Sequence, residues 1–243
     1  MPRPPKQLII ALALIAAILV VLVLAGPYAQ RSFFYPKARG LPAVVGETAE
    51  QLLTRLQAVL ETNVPPVAKT LLPGLSTARI SELETQGGFR LSDDLRAFYR
   101  WRNGMPTNSA TGLLPGQRFV PLDEVVQELT LARQQLDSAS ASQRAALSVF
   151  AGHRKGWVTV LDDGAGDGYF YDPKRTDVEG AFFYHMAEVR YYVWFPSFRN
   201  FLAGAIECYE SCAIKLATNG TDLDENLEHT ERIWSRFSKS NDN

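Results

Sequence analysis

The chain is poor in the residues that usually carry redox or metal chemistry. Only two cysteines occur, Cys208 and Cys212, in the run CYESC. On a helix that spacing sets their Cβ atoms ~5–6 Å apart, beyond the ~3.5–4.5 Å that a disulfide prefers. They read as two small half-buried side chains on one helix face, and no disulfide framework is present to define a compartment. Three histidines, His153, His185 and His229, lack metal-ligand spacing with one another or with the cysteines. No G-x-S-x-G elbow presents a serine and no P-loop sequence appears. Excess positive charge is missing too. Lys and Arg total 25 against 26 Asp and Glu, a net of −1 with no basic run, which disfavours nucleic-acid binding through a basic footprint. There is also no internal repeat.

What is present begins with an apolar run. Residues 8–25, LIIALALIAAILVVLVLA, contain no charged, amide or hydroxyl side chain. At a rise of ~1.5 Å per residue such a helix reaches ~27 Å, close to the ~30 Å hydrocarbon core of a bilayer. Arg3 and Lys6 precede it, Gly26-Pro27 ends it, and Tyr28, Phe33, Phe34 and Tyr35 follow as interfacial aromatics. A cleaved signal peptide is the rival reading, but its apolar region is normally ~7–15 residues long, so a single-pass anchor is favoured. No Cys follows Gly26, which disfavours a lipoprotein anchor. Basic residues flank both ends, so the positive-inside rule barely discriminates. A large domain behind a short basic N-terminus leans towards the exported side.

The expected organisation is a short basic N-terminus (1–7), a transmembrane helix (8–25), a spacer (26–46), one α+β domain (47–216) and a polar tail with some helical spacing (217–243). A first soluble helix over 47–61 carries the stripe Leu52, Leu53, Leu56, Val59, Leu60, with Glu50, Arg55 and Gln57 away from it. Pro65 and Pro66 end it. Ser76 or Thr77 caps a second helix that stops at Gly87-Gly88, and Ser92 caps a third, with Asp93 and Asp94 in its first turn. Asn103-Gly104 supplies its left-handed stop. A fourth helix runs from Asp123 to about Leu136. The period then changes to strands at 157–161, 168–172, 180–186 and 191–195, the first two joined by a hairpin over 162–167, before a long helix opening at Pro196-Ser197. Clustered strands between groups of helices imply an antiparallel sheet flanked by helices.

Two blocks carry a family resemblance. LLPGLSTARISELETQGGFRLSDDLRAFYRWRNG resembles the opening of a SUKH domain through Ile80, Glu84, Leu91, Ser92, Leu95, Tyr99, Asn103 and Gly104, with Ser92 where Pro is more usual. A Trp-led strand (Trp157), a Gly/Asp hairpin, Tyr171-Asp172, Gly180 and a closing Ser197-Phe198-x-x-Phe201-Leu202 helix extend the similarity over 71–214. The superfamily includes fungal cell-wall assembly regulators of the Smi/Knr type and many bacterial toxin-immunity proteins. The resemblance implies a module that grips protein partners. It supplies no catalytic residues and no cofactor.

The functional expectation is a membrane-anchored protein-binding module, in its most concrete form an immunity protein that binds and neutralises a toxin. Occlusion would use a concave sheet face with an acidic rim. A cell-wall or envelope regulator is the alternative, and a hydrolase using Asp162, Asp163 or Asp167 the third reading. Those aspartates lie in a Gly-rich loop that could hold Ca²⁺, but counted from Asp163 the EF-hand pattern fails, with Ala165 third and Lys174 twelfth. They read instead as a solvated hairpin or an acidic recognition edge. Trp101, Arg102, Tyr169 and Tyr171 complete the partner-binding candidates, since Trp, Tyr and Arg dominate interface hot spots. Tyr169 and Tyr171 share one sheet face and Phe170 takes the other.

Overall fold

The computed structural model describes residues 45–139, 156–175, 181–186 and 191–240. The apolar segment 8–25 and the spacer up to residue 44 lie outside the described residues. Among the described residues, no helix is long and apolar enough to cross a membrane.

N-cap side chains open most of the helices. Thr48 and Gln51 form a reciprocal capping box at α1 (Ala49–Asn63), which satisfies two orphan backbone donors at once. The predicted stripe is buried. Pro65 and Pro66 do more than end this helix: they occupy the first turn of a short α2 (Pro65–Thr70), where a missing N–H is no loss. Ser76 caps α3 (Thr77–Gly87), which closes on Gly88 at φ 62°, and Ser92 caps α4 (Asp93–Trp101). The stop of α4 differs from expectation. Its C-cap is Arg102 in extended conformation, and Asn103-Gly104 acts two residues later. Gly104, at φ 79°, passes so close to Pro121 that a Cβ would lie 2.5 Å from the proline nitrogen. Asn103-Gly104 therefore joins α4 to the start of α5 (Leu122–Ser138).

Six strands form one antiparallel sheet in the order β1 (Arg118–Phe119), β2 (Val158–Asp162), β3 (Gly168–Tyr171), β4 (Phe182–Met186), β5 (Tyr191–Phe195) and β8 (Lys239–Ser240). The architecture is α+β, as expected. On one face Tyr169, Tyr171, Phe182 and Phe195 join the main core with α6 (Phe198–Glu210). The Phe201 ring centre there lies 4.9 Å from those of Tyr169 and Phe182. On the other face Trp157, Phe170 and Phe183 make a second buried cluster, with His185 5.6 Å from Trp157. An open concave sheet face is not what these strands form. Aromatic side chains load both faces of β3 and β4, and both sets are buried.

The chain continues past residue 216 within the same domain. β6 (Ile214–Leu216) pairs with β7 (Leu223–Glu225), and α7 (Leu227–Phe237) packs on α6. Trp234 stacks on Phe201 at 5.8 Å and meets Phe195 edge-on at 5.7 Å. Gly204 makes room, since a Cβ there would come within 2.6 Å of the Trp234 ring. Residues 217–240, expected as a tail, thus continue the domain, and β8 adds the sixth strand to the sheet. The two cysteines do not share a helix face. Cys208 is buried in α6, whereas Cys212 is exposed beyond its end at φ 57°, and both are free.

Candidate partner-binding site

The C-terminal end of α4 is held by an irregular segment that runs alongside it. Leu72 donates to Gly104 O, Asn103 donates to Leu72 O, and Leu75 donates to Tyr99 O, at 2.9–3.2 Å. Gly74 is required for that approach, because a Cβ would fall 1.7 Å from Arg100 O. The last residues of α4 are thereby turned towards α1. A groove of about 410 Å³ lies between the two helices, with Leu53 and Ala97 on its floor and Gln57, Arg100, Trp101 and Arg102 around it.

Trp101 and Arg102, both sequence candidates, meet here. The Trp101 ring stacks on Phe98 at 5.6 Å, and its Nε1 donates to Gln57 Oε1 at 3.0 Å. Arg102 Nη2 donates to the same oxygen at 3.1 Å, Nη1 donates to Trp101 O, and the guanidinium lies 5.7 Å from the Trp101 ring centre. One amide oxygen thus orients an aromatic and a cation together. Arg102 Nε is buried without a hydrogen-bond partner. Sequence reasoning missed Gln57, having set it on the solvent face of α1. Its signal was the spacing Glu50, Thr54, Gln57, a polar stripe beside the apolar one.

The aspartates occupy a different place, the β2–β3 hairpin. Asp162 accepts from Arg118 at 3.2 Å, and the same guanidinium grips Glu124 through two nitrogens at 2.7 and 2.9 Å. Burial nevertheless raises the Asp162 carboxyl above its usual range, opposed by Arg118. Nearby Glu128, desolvated and facing Glu124 and Asp162, is raised to about 7. Asp163 builds the turn, its Oδ1 accepting the Ala165 and Asp167 N–H groups at 2.8 and 3.0 Å. Among the described residues, no group of three or more His, Cys, Asp or Glu side chains is placed to hold a metal ion.

Tyr169 and Tyr171 are corrected as partner contacts. They do share one face, but it is the helix-covered face, where they are 9% and 2% exposed. A strand so rich in aromatics could have presented either side. α6 decides it by bringing Phe198 and Phe201 against that one.

Residues 74–204 match the profile of the SMI1 / KNR4 family (SUKH-1), more than half of the chain. The chain belongs to the SMI1/KNR4 family. No curated protein matches it. The family match begins at Gly74, the close-approach glycine, and ends inside α6. Trp101 and Arg102 therefore lie on the SUKH-1 part, while Leu53 and Gln57 come from α1, which precedes it. The groove has one wall from the matched segment and one from the helix that precedes it.

Proposed function

We propose that this SUKH-1 protein is a membrane-anchored binding module of the immunity type, which neutralises a protein toxin by occupying it, without turnover or cofactor. The observation that carries this reading is the Trp101–Gln57–Arg102 cluster. A Trp and an Arg, each half-buried and fixed by one amide, form the kind of pre-ordered pair that dominates interface energetics. The family includes immunity proteins and cell-wall regulators, which supports a protein partner. Residues 8–25 would supply the anchor and place the domain on the exported side. A hydrolase reading draws less support, because Asp162 is committed to Arg118 and Asp163 to its own turn.

The test is affinity capture of the detergent-solubilised full chain from its native cells, wild type beside Trp101→Ala and Arg102→Ala, with folding checked by thermal unfolding. A stoichiometric partner bearing a toxin-like domain is expected, held at least about 30-fold more weakly by each variant, as a hot-spot loss of ~2 kcal/mol gives. Recovery of wall-synthesis proteins instead would replace immunity with an envelope role. A partner retained equally by both variants would remove the groove from the mechanism.

A further inference from the structure

A second concavity, of about 800 Å³, opens beside the C-terminal end of α3. It shares no lining residue with the Trp101 groove. Arg90, Arg133 and Lys174 surround it, with Arg96 and Glu84 behind, and Ser81 and Thr85 on the α3 side. Within the described residues, Arg90, Arg133 and Lys174 lack the carboxylate partner that several other arginines of the domain have. Arg55 holds Glu210, Arg79 holds Asp123, Arg118 holds Glu124 and Arg236 holds Glu207. In the recess the one carboxylate is Glu84, 6% exposed, and it is already taken by the Leu91 N–H and the Arg96 guanidinium. Among the described residues, no carboxylate stands within ion-pair distance of Arg90, Arg133 or Lys174.

Three like charges line one recess with no described carboxylate paired to them, an arrangement that favours an anion there. They are also partly pre-ordered. Arg133 Nη2 donates to Gly87 O, the carbonyl end of α3, and the guanidinium lies across Gly88, where a Cβ would sit 3.4 Å from it. Arginine forks match carboxylates bidentately. From this geometry we infer that the recess receives an acidic segment of a protein partner, its carboxylates taken up by Arg90, Arg133 and Lys174. A nucleic acid would need a track of cations along its backbone, whereas this chain carries a net −1 with no basic run, and the recess gathers three cations in one hollow. The expectation from sequence was the reverse, an acidic edge meeting a basic partner. The inference deepens the protein-binding reading but uses a different surface.

The probe is a fluorescein-labelled decaglutamate peptide, titrated by anisotropy against the full-length chain in mild detergent at low and high salt. Saturable binding is expected, weakened about tenfold or more in Arg90→Gln/Arg133→Gln and by added salt, and unchanged in Arg232→Gln on α7. Lys174→Gln alone, outside any long helix, gives the same direction should the double variant fail to fold. Arg102→Ala is expected to bind the peptide normally, so loss of the groove and loss of the recess are told apart. Absence of binding, or binding indifferent to Arg90, Arg133 and Lys174, overturns the inference. So does tighter binding of a single-stranded oligonucleotide of equal charge.

Discussion

The Asn103 side chain accepts the backbone N–H of Leu122 at 3.0 Å and so caps α5 from nineteen residues upstream. Pro121 at the N-cap position has no side-chain oxygen of its own to do this. Asn103 Nδ2 also donates to Asp123 at 3.1 Å, and the residue is 8% exposed. Asn103→Ala would leave a buried N–H and a buried turn without partners. A loss of about 1–3 kcal/mol is expected, measured as the shift in urea midpoint at unchanged m-value. Asn103→Asp, which keeps the acceptor but sets a carboxylate against Asp123, should recover only part of it.

The C-terminal segment gives a sharper test of where the domain ends. Trp234 fills the space above Gly204 and touches Phe195 and Phe201, so it is the largest of the side chains that seat α7. Trp234→Ala should cost about 3–5 kcal/mol, as for a buried aromatic whose cavity cannot fully collapse. If 217–243 were an independent tail, the same change would leave thermal unfolding of the rest untouched. Calorimetry of the full chain decides between the two.

Legibility in the sequence followed the range of the forces involved. Ser76, Ser92, Ser197 and Gly88 act on backbone within a few residues, and each was placed correctly because capping needs only local spacing. The strands were found by period, but period cannot say which face a distant helix will cover, and Tyr169 and Tyr171 were misassigned for that reason. Gln57 and Trp101 show the same limit. They lie in separate helices, and their hydrogen bond exists only because segment 72–75 turns α4 towards α1. Leu223, Leu227, Trp234 and Phe237 suggest one side of a helix in the tail, but local spacing leaves open whether that helix docks on the domain or on a partner. Three of the apolar side chains of α7, Ile233, Trp234 and Phe237, are nonetheless enough to seat it.

Glu84 and Arg96 form the most deeply set ion pair described. Glu84 Oε1 accepts the Leu91 N–H at 2.8 Å and Arg96 Nε at 3.0 Å, and Arg96 Nη2 meets Oε2. Side-chain exposures are 7% and 20%. Removing the cation leaves a nearly buried carboxylate without its charge partner, so Arg96→Ala is expected to cost about 3 kcal/mol. Glu84→Gln keeps the acceptor for Leu91 and should cost clearly less. Equal losses in the two variants, read from chemical denaturation, would show that the charge pairing lost in both holds this corner, with nothing added by the arginine stem or by a stranded carboxylate.

Glu128 makes stability depend on pH in a direction opposite to that of a paired carboxylate. Its Oε2 has no hydrogen-bond partner, burial disfavours its charge, and Glu124 and Asp162 add repulsion, so the folded protein binds its proton up to about pH 7. The unfolded chain releases that proton near the ordinary Glu value of 4.5. Between these values the native state holds the proton and the unfolded state does not. The contribution is therefore fully present below about pH 4.5 and is lost as pH rises through 7. Glu128→Gln mimics the protonated form at every pH. The variant should gain on wild type steadily from pH 5 to pH 8 in matched urea titrations, with the gain levelling off above about pH 7.5. A difference that stays flat across that range would mean that Glu128 is charged throughout, its carboxylate reached by water or drawn to Arg118. Arg118→Gln separates those two causes, since removing the cation should push the Glu128 transition further upwards only if the guanidinium acts on it.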